Sequence, residues 1–154
     1  MRTKASVSAA AAFLAVAALS LAADPNLGTW KLNEEKSHFA AGATKNRLVS
    51  YHTVGDMVMV TVDGVDKDGK VTHNEWTGKF DGKDYAVKGD ATSDTRAYTK
   101  VNGNTLSMAV KKDGKVTVTG TIMVSADGKT RTVTTSGMDS MGMKMDNMAV
   151  YDKQ

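Results

Sequence analysis

The chain is predicted to be all-β: one up-and-down antiparallel meander of roughly ten strands that closes into a barrel. Three observations predict it. Asp-Gly, Gly-Asn and Gly-Asp pairs cut the chain at short intervals, and such pairs take the positive φ that tight hairpins need. The segments between them are rich in Val and Thr, whose branched side chains suit a pleated surface. The only proline, Pro25, precedes every predicted strand, so no hydrogen-bond ladder loses a donor. Strands joined by such short links pair as neighbours, and closure removes the exposed edges that invite aggregation.

In order, Gly28 to Leu32 reads as a short opening strand. Glu34 to Lys45 has no sustained helical period and is predicted as a loop, with at most one or two helical turns. Leu48 to Val54, a Gly55-Asp56 turn and Met57 to Val62 form a hairpin. Asp63 to Lys70 connects to Val71–Phe80, and an Asp81-Gly82 turn leads to Lys83–Lys88. Thr95–Val101, Thr105–Lys111, Lys115–Val124, Thr130–Ser136 and Met145–Asp152 complete the meander. Lys67-Asp68-Gly69-Lys70-Val71-Thr72 recurs as Lys112-Asp113-Gly114-Lys115-Val116-Thr117. Either an ancient duplication or recurrent turn chemistry explains the repeat.

Period-2 alternation assigns faces. Leu106, Met108 and Val110 share one, as do Val116, Val118, Ile122 and Val124. Trp76 and Phe80 alternate against His73, Glu75 and Lys79, and Tyr85 and Val87 against Asp84 and Lys88. These are the predicted core.

The first 22 residues stand apart. Arg2 and Lys4 precede an Ala-rich apolar run, and small residues at Ser20 and Ala22 prepare a cut after Ala22 or Ala23. This reads as a secretory signal peptide, leaving residues 24–154 as a single barrel domain. A periplasmic or secreted protein, without a membrane anchor after cleavage, is expected. Of 20 Lys and Arg, two lie in the leader, so 18 remain against 17 Asp and Glu. A net charge near +1 with interleaved signs offers no footprint for nucleic acid. Cys is absent, so the core alone must hold the domain.

Gly28-Thr29-Trp30-Lys31-Leu32 resembles the opening strand of the intracellular fatty-acid-binding proteins, and the Gly-x-Trp of lipocalins. Both belong to the calycin group of ligand-holding barrels, which includes exported bacterial proteins. The closing Val150-Tyr151-Asp152-Lys153 fits the same pattern. The resemblance implies a barrel holding a small hydrophobic molecule, with Trp30 closing one end. Trp76, Phe80, Tyr85, Tyr98 and Tyr151 are the candidate ligand contacts. Two departures follow. The span from Asn33 to Asn46 is too short for the lid of two helices that the fatty-acid-binding proteins carry. The Arg-x-Tyr with which they grip a carboxylate is Ala149-Val150-Tyr151 here. Arg96-Ala97-Tyr98 has the spacing on another strand, but a long cation is expected outside. Carboxylate capture is therefore not expected.

Met138, Met141, Met143, Met145 and Met148 fall within 11 residues. Thioethers suit Cu(I) or Ag(I), and Met141, Met143 and Met145 would share a face if the segment were a strand. The alternative is that they fill irregular space as adaptable apolar side chains. No phosphate loop, dinucleotide fingerprint or Gly-x-Ser-x-Gly occurs. No cofactor is expected, and no catalytic role. Ligand binding, soft-metal binding and a structural domain without ligand are the three readings.

Overall fold

The computed structural model describes residues 23–139 and 141–154; the predicted signal peptide, at residues 1–22, lies outside them. Ten strands run in chain order: β1 (Gly28–His38), β2 (Lys45–Val54), β3 (Met57–Val65), β4 (Val71–Gly78), β5 (Tyr85–Lys88), β6 (Thr95–Asn102), β7 (Thr105–Lys112), β8 (Lys115–Val124), β9 (Thr130–Met138) and β10 (Lys144–Lys153). Each pairs antiparallel with the next, and β1 pairs with β10, so the meander closes into a barrel as predicted. Among the described residues there is no helix.

The turns follow the expected chemistry. Asp113 (φ 49°) and Gly114 (φ 75°) join β7 to β8 with two left-handed residues, the geometry of a two-residue hairpin. Just before the repeat's other copy, Asp66 folds the β3–β4 turn, its Oδ1 accepting the amides of Asp68 and Lys70 at 2.9 Å each. Asp139 does the same for Met141 and Met143 between β9 and β10.

Three expectations need correction. The opening strand does not stop at Leu32: β1 continues to His38, with a bulge against β10 between Asn33 and His38. Ser37 holds that bulge, donating to the Asn33 carbonyl at 2.7 Å and accepting the Val150 amide at 2.9 Å. Next, the Asp81-Gly82 step is not a two-residue hairpin. β4 ends at Gly78 and β5 starts at Tyr85, because the intervening chain folds onto β6, with Gly82 N–H donating to the Tyr98 carbonyl at 2.9 Å. Finally, Val116 leaves the core face and is exposed. A register shift against β7 falls between Val118 and Val116, and one extra residue reverses the alternation.

The core lies toward one barrel end. Trp30, Val60, Trp76, Leu106, Ile122 and Val124 are almost wholly buried there. Trp30 donates its indole N–H to the Asn26 carbonyl at 2.9 Å, so the segment before β1 seals that end. Trp76 stacks on Phe80 with 6.4 Å between ring centres, and meets Tyr85 and Tyr98 edge-on at 5.6 and 4.8 Å. Gly78 makes room for this cluster, since a Cβ there would lie 2.5 Å from the Tyr85 ring.

Candidate functional site

Above this plug the barrel is not filled. A cavity of about 610 Å³ runs up to the opposite end, within the range of small-molecule sites. Its mouth is formed by Ala43 and Thr44, the β3–β4 turn, Gly89 to Thr92, and the start of the β9–β10 turn. Its apolar wall comes from Val49, Val62, Met108, Val110, Ile122 and Val133. A second hollow, of about 560 Å³, is an open trough across β8, β9 and β10 beside His38. The interior cavity is the candidate site.

The strand alternation that turns Val and Ile inward also turns two arginines inward. Arg131 on β9 is in phase with Val133, and only 3% of it is exposed. Its Nη2 donates to Tyr51 Oη at 2.9 Å, and its guanidinium lies 4.5, 5.4 and 5.8 Å from the Tyr51, Tyr151 and Trp30 ring centres. Its Nε and Nη1 are buried without a hydrogen-bond partner. Arg96 on β6 is 8% exposed. It makes two long contacts of 3.4 Å, from Nη1 to Tyr98 Oη and from Nη2 to Asn74 Oδ1, while its Nε has no partner. Neither arginine is in an ion pair among the described residues.

The surrounding phenols do not supply the missing charge. Burial pushes Tyr151 up to about 12 and drives Tyr51 further in the same direction, against the pull of Arg131. Both are neutral at physiological pH. Tyr151 Oη donates to the Asn46 carbonyl at 3.0 Å. Asp90, at the mouth, is the nearby carboxylate. Burial works to raise its pKa, but hydrogen bonds from Ser93 and Thr92, then the charge of Arg96, hold it below the usual range.

The sequence-predicted contacts divide. Tyr98 and Tyr151 line the cavity. Trp76, Phe80 and Tyr85 belong to the aromatic plug and are not on the cavity wall. The outward placement expected for Arg96 is overturned, because Arg96 and Tyr98 both face the interior and both are buried. Arg131, Tyr51 and Asn74 were not singled out from the sequence; the usable signal was the phase of Arg131 with Val133 and of Tyr51 with Val49. The methionines do not share one strand face. Met141 and Met143 lie in the β9–β10 turn and are exposed, Met138 ends β9, and Met145 lines the cavity. Met148 borders the outer trough. Among the described residues no group of three His, Cys, Asp or Glu side chains is placed to hold a metal.

Comparison with protein-family models and with curated proteins finds no match. Among solved structures the chain is similar to EF1p2_mFAP2b, a structure bound to DFHBI. The TM-score is 0.53 at 10% identity, over 86% of this chain and 97% of that one. A redesigned β-barrel, mFAP1, also bound to DFHBI, gives a TM-score of 0.47 at 12% identity, over 84% and 95%. At such identities the likeness to mFAP2b is one of fold alone, a closed antiparallel β-barrel.

Proposed function

We propose that this chain is an exported barrel that takes a small, mostly apolar molecule through its open end and holds it without covalent chemistry. The observation that carries this reading is the cavity of about 610 Å³ inside a closed sheet. A barrel selected only for stability would fill that space, because unfilled interior volume costs packing energy. The similarly folded mFAP2b barrel, bound to DFHBI, supports the reading as a precedent for the architecture. The apolar wall supplies affinity, and the phenols and guanidiniums fix orientation. Positioned groups of this kind serve binding.

The test is uptake of an environment-sensitive fluorophore such as 1-anilinonaphthalene-8-sulfonate, compared with a variant whose cavity is blocked by Val133→Trp. Saturable binding that the variant loses, with an unchanged far-UV spectrum, is expected. Equal binding by both proteins places the probe outside the barrel and overturns the reading. Export is tested separately by sequencing the N-terminus of protein recovered outside the cytoplasm, with a start at Ala23 or Asp24 expected.

The β9–β10 turn supports a second, weaker reading. Met138, Met141 and Met143 are each more than half exposed, so packing does not explain them, and exposed thioethers remain open to Cu(I). A competition titration in which their joint replacement by Leu leaves Cu(I) affinity unchanged ends that reading.

A further inference from the structure

The outer face of the β2–β3 hairpin carries an arrangement that the cavity does not use. We propose that His52, Met57 and Met59 form a binding site for Cu(I) on the outside of the barrel. It is independent of the interior cavity and of the thioethers in the β9–β10 turn.

Strand register places the three side chains together. Val49 and Tyr51 on β2 are buried, as are Val60 and Val62 on β3. Period-2 alternation therefore turns His52 outward from β2, and Met57 and Met59 outward from β3. His52 stands directly opposite Met59, while Met57 lies two residues along on the same face, opposite Val54. Directly opposed side chains have Cβ atoms about 4.5–5.5 Å apart, and diagonal ones are about 7–8 Å apart. Two positions along one strand span about 6.5 Å. A triangle of that size can close on one ion, because each Met has three rotatable bonds with which to bring its sulfur inward. The Gly55-Asp56 turn joins the two strands directly, with Gly55 at φ 61°. The tight hairpin thus fixes all three positions before an ion arrives, which lowers the cost of binding.

None of the three is committed elsewhere. The His73 ring is held between Asp63 and Glu75. The His52 ring is exposed and, among the described residues, is in no ion pair. Neither Met57 nor Met59 is among the side chains packed against the core, so filling of the interior does not explain them. Lys79, the cation paired to the turn of this hairpin, is offset by Asp56 at 2.5 Å.

The donor set selects the metal. Thioethers are soft and favour Cu(I), whereas imidazole suits Zn, Cu, Fe and Ni. Copper is the ion that both donor types accept. Calcium and magnesium require oxygen ligands. Zinc draws on Cys, His, Asp and Glu, of which this trio supplies one. The β9–β10 turn has thioethers but no histidine, so the two places can be told apart by the imidazole.

The experiment titrates the mature chain, carrying ¹³C-labelled Met methyls, with Ag(I) as a redox-inert stand-in for Cu(I). The His52 ring protons and the Met57 and Met59 methyls are expected to shift together in NMR spectra and to saturate at the same added ion. Cu(I) affinity is then measured anaerobically by competition with a chromophoric chelator. The background for this arm carries Met138→Leu, Met141→Leu and Met143→Leu, which removes the turn thioethers. There, Met57→Leu, Met59→Leu and His52→Gln should each lower affinity at least tenfold, and Zn(II) should bind at least a hundredfold more weakly than Cu(I). The Leu replacements conserve volume, and the NMR arm needs no variant, so a folding defect does not hide the answer. Shifts confined to Met138, Met141 and Met143, a His52 ring that does not respond, or unchanged affinity in Met59→Leu overturns the site. Zn(II) bound as tightly as Cu(I) overturns the choice of metal. Neither result touches the small-molecule reading, which concerns the opposite side of the sheet.

Discussion

Replacing Arg131 with Met is expected to stabilise the empty barrel, the reverse of what most core substitutions do. Two guanidinium nitrogens, Nε and Nη1, are buried without partners, and each open donor costs roughly 2 kcal/mol. Against that stand the charged hydrogen bond to Tyr51, worth about 2 kcal/mol, and the contacts with the Tyr51, Tyr151 and Trp30 rings, together about 2 kcal/mol. These nearly cancel. Met keeps contact with the rings through its sulfur and adds about 2 kcal/mol of apolar burial. The net gain is therefore about 2 kcal/mol, consistent with the 1–4 kcal/mol range seen when buried ionic groups give way to apolar ones. For a domain of this size it raises Tm by about 5–10 °C. Urea unfolding of protein stripped of bound molecules measures it, with the midpoint rising and the m value unchanged. A midpoint at or below wild type would refute the reasoning, because Arg131 would then be a structural element already satisfied in the empty barrel.

Three further outcomes are expected. Gly64→Ala places a Cβ against the Lys45 carbonyl oxygen, where the β2 bulge brings backbone close; backbone cannot yield cheaply, so a loss of about 2–3 kcal/mol in denaturant unfolding is expected, and a loss below 0.5 kcal/mol would contradict the packing described. Tyr151 is raised by burial from 10.0 to about 12, so its contribution is fully present below pH 10 and is lost as pH rises through its folded value. Ultraviolet titration should show its phenol ionising late and in step with unfolding, whereas early, reversible ionisation would place it in solvent. His73 is held above its ordinary 6.5, first by the hydrogen bond with Asp63 and then by Glu75. Its contribution is present in full below pH 6.5 and fades as pH rises through the folded value. Proton NMR of His73 in Asp63→Asn should show a lower midpoint than in wild type, and an unchanged midpoint would remove Asp63 as the cause.

Much of the fold was legible because its determinants are local. Asp113-Gly114 sets a hairpin through the φ that two adjacent residues adopt, and no distant contact is needed to read it. The alternation of Leu106, Met108 and Val110 likewise announces an inward face before any partner strand is known. Where reading failed, the deciding contact was distant. β1 extends to His38 because Ser37 finds the backbone of Val150, and the β4–β5 hairpin opened because Gly82 found Tyr98.

The site shows the same division more sharply. Tyr98 and Tyr151 were legible as aromatic residues in phase with strands, and both line the cavity. Arg96 obeyed the same phase, but a rule that sends cations to water argued against it, and Arg131 was not singled out at all. That rule fails only where a closed sheet leaves room inside and aromatic faces surround the charge. The amino-acid order by itself determined the number of strands, their succession and the inward side of several, because turn chemistry and period-2 alternation act within a few residues. Only the tertiary structure decided that the interior stays hollow and that an uncompensated guanidinium sits at its base. Volume and charge balance belong to all ten strands at once, and no stretch of the chain contains them.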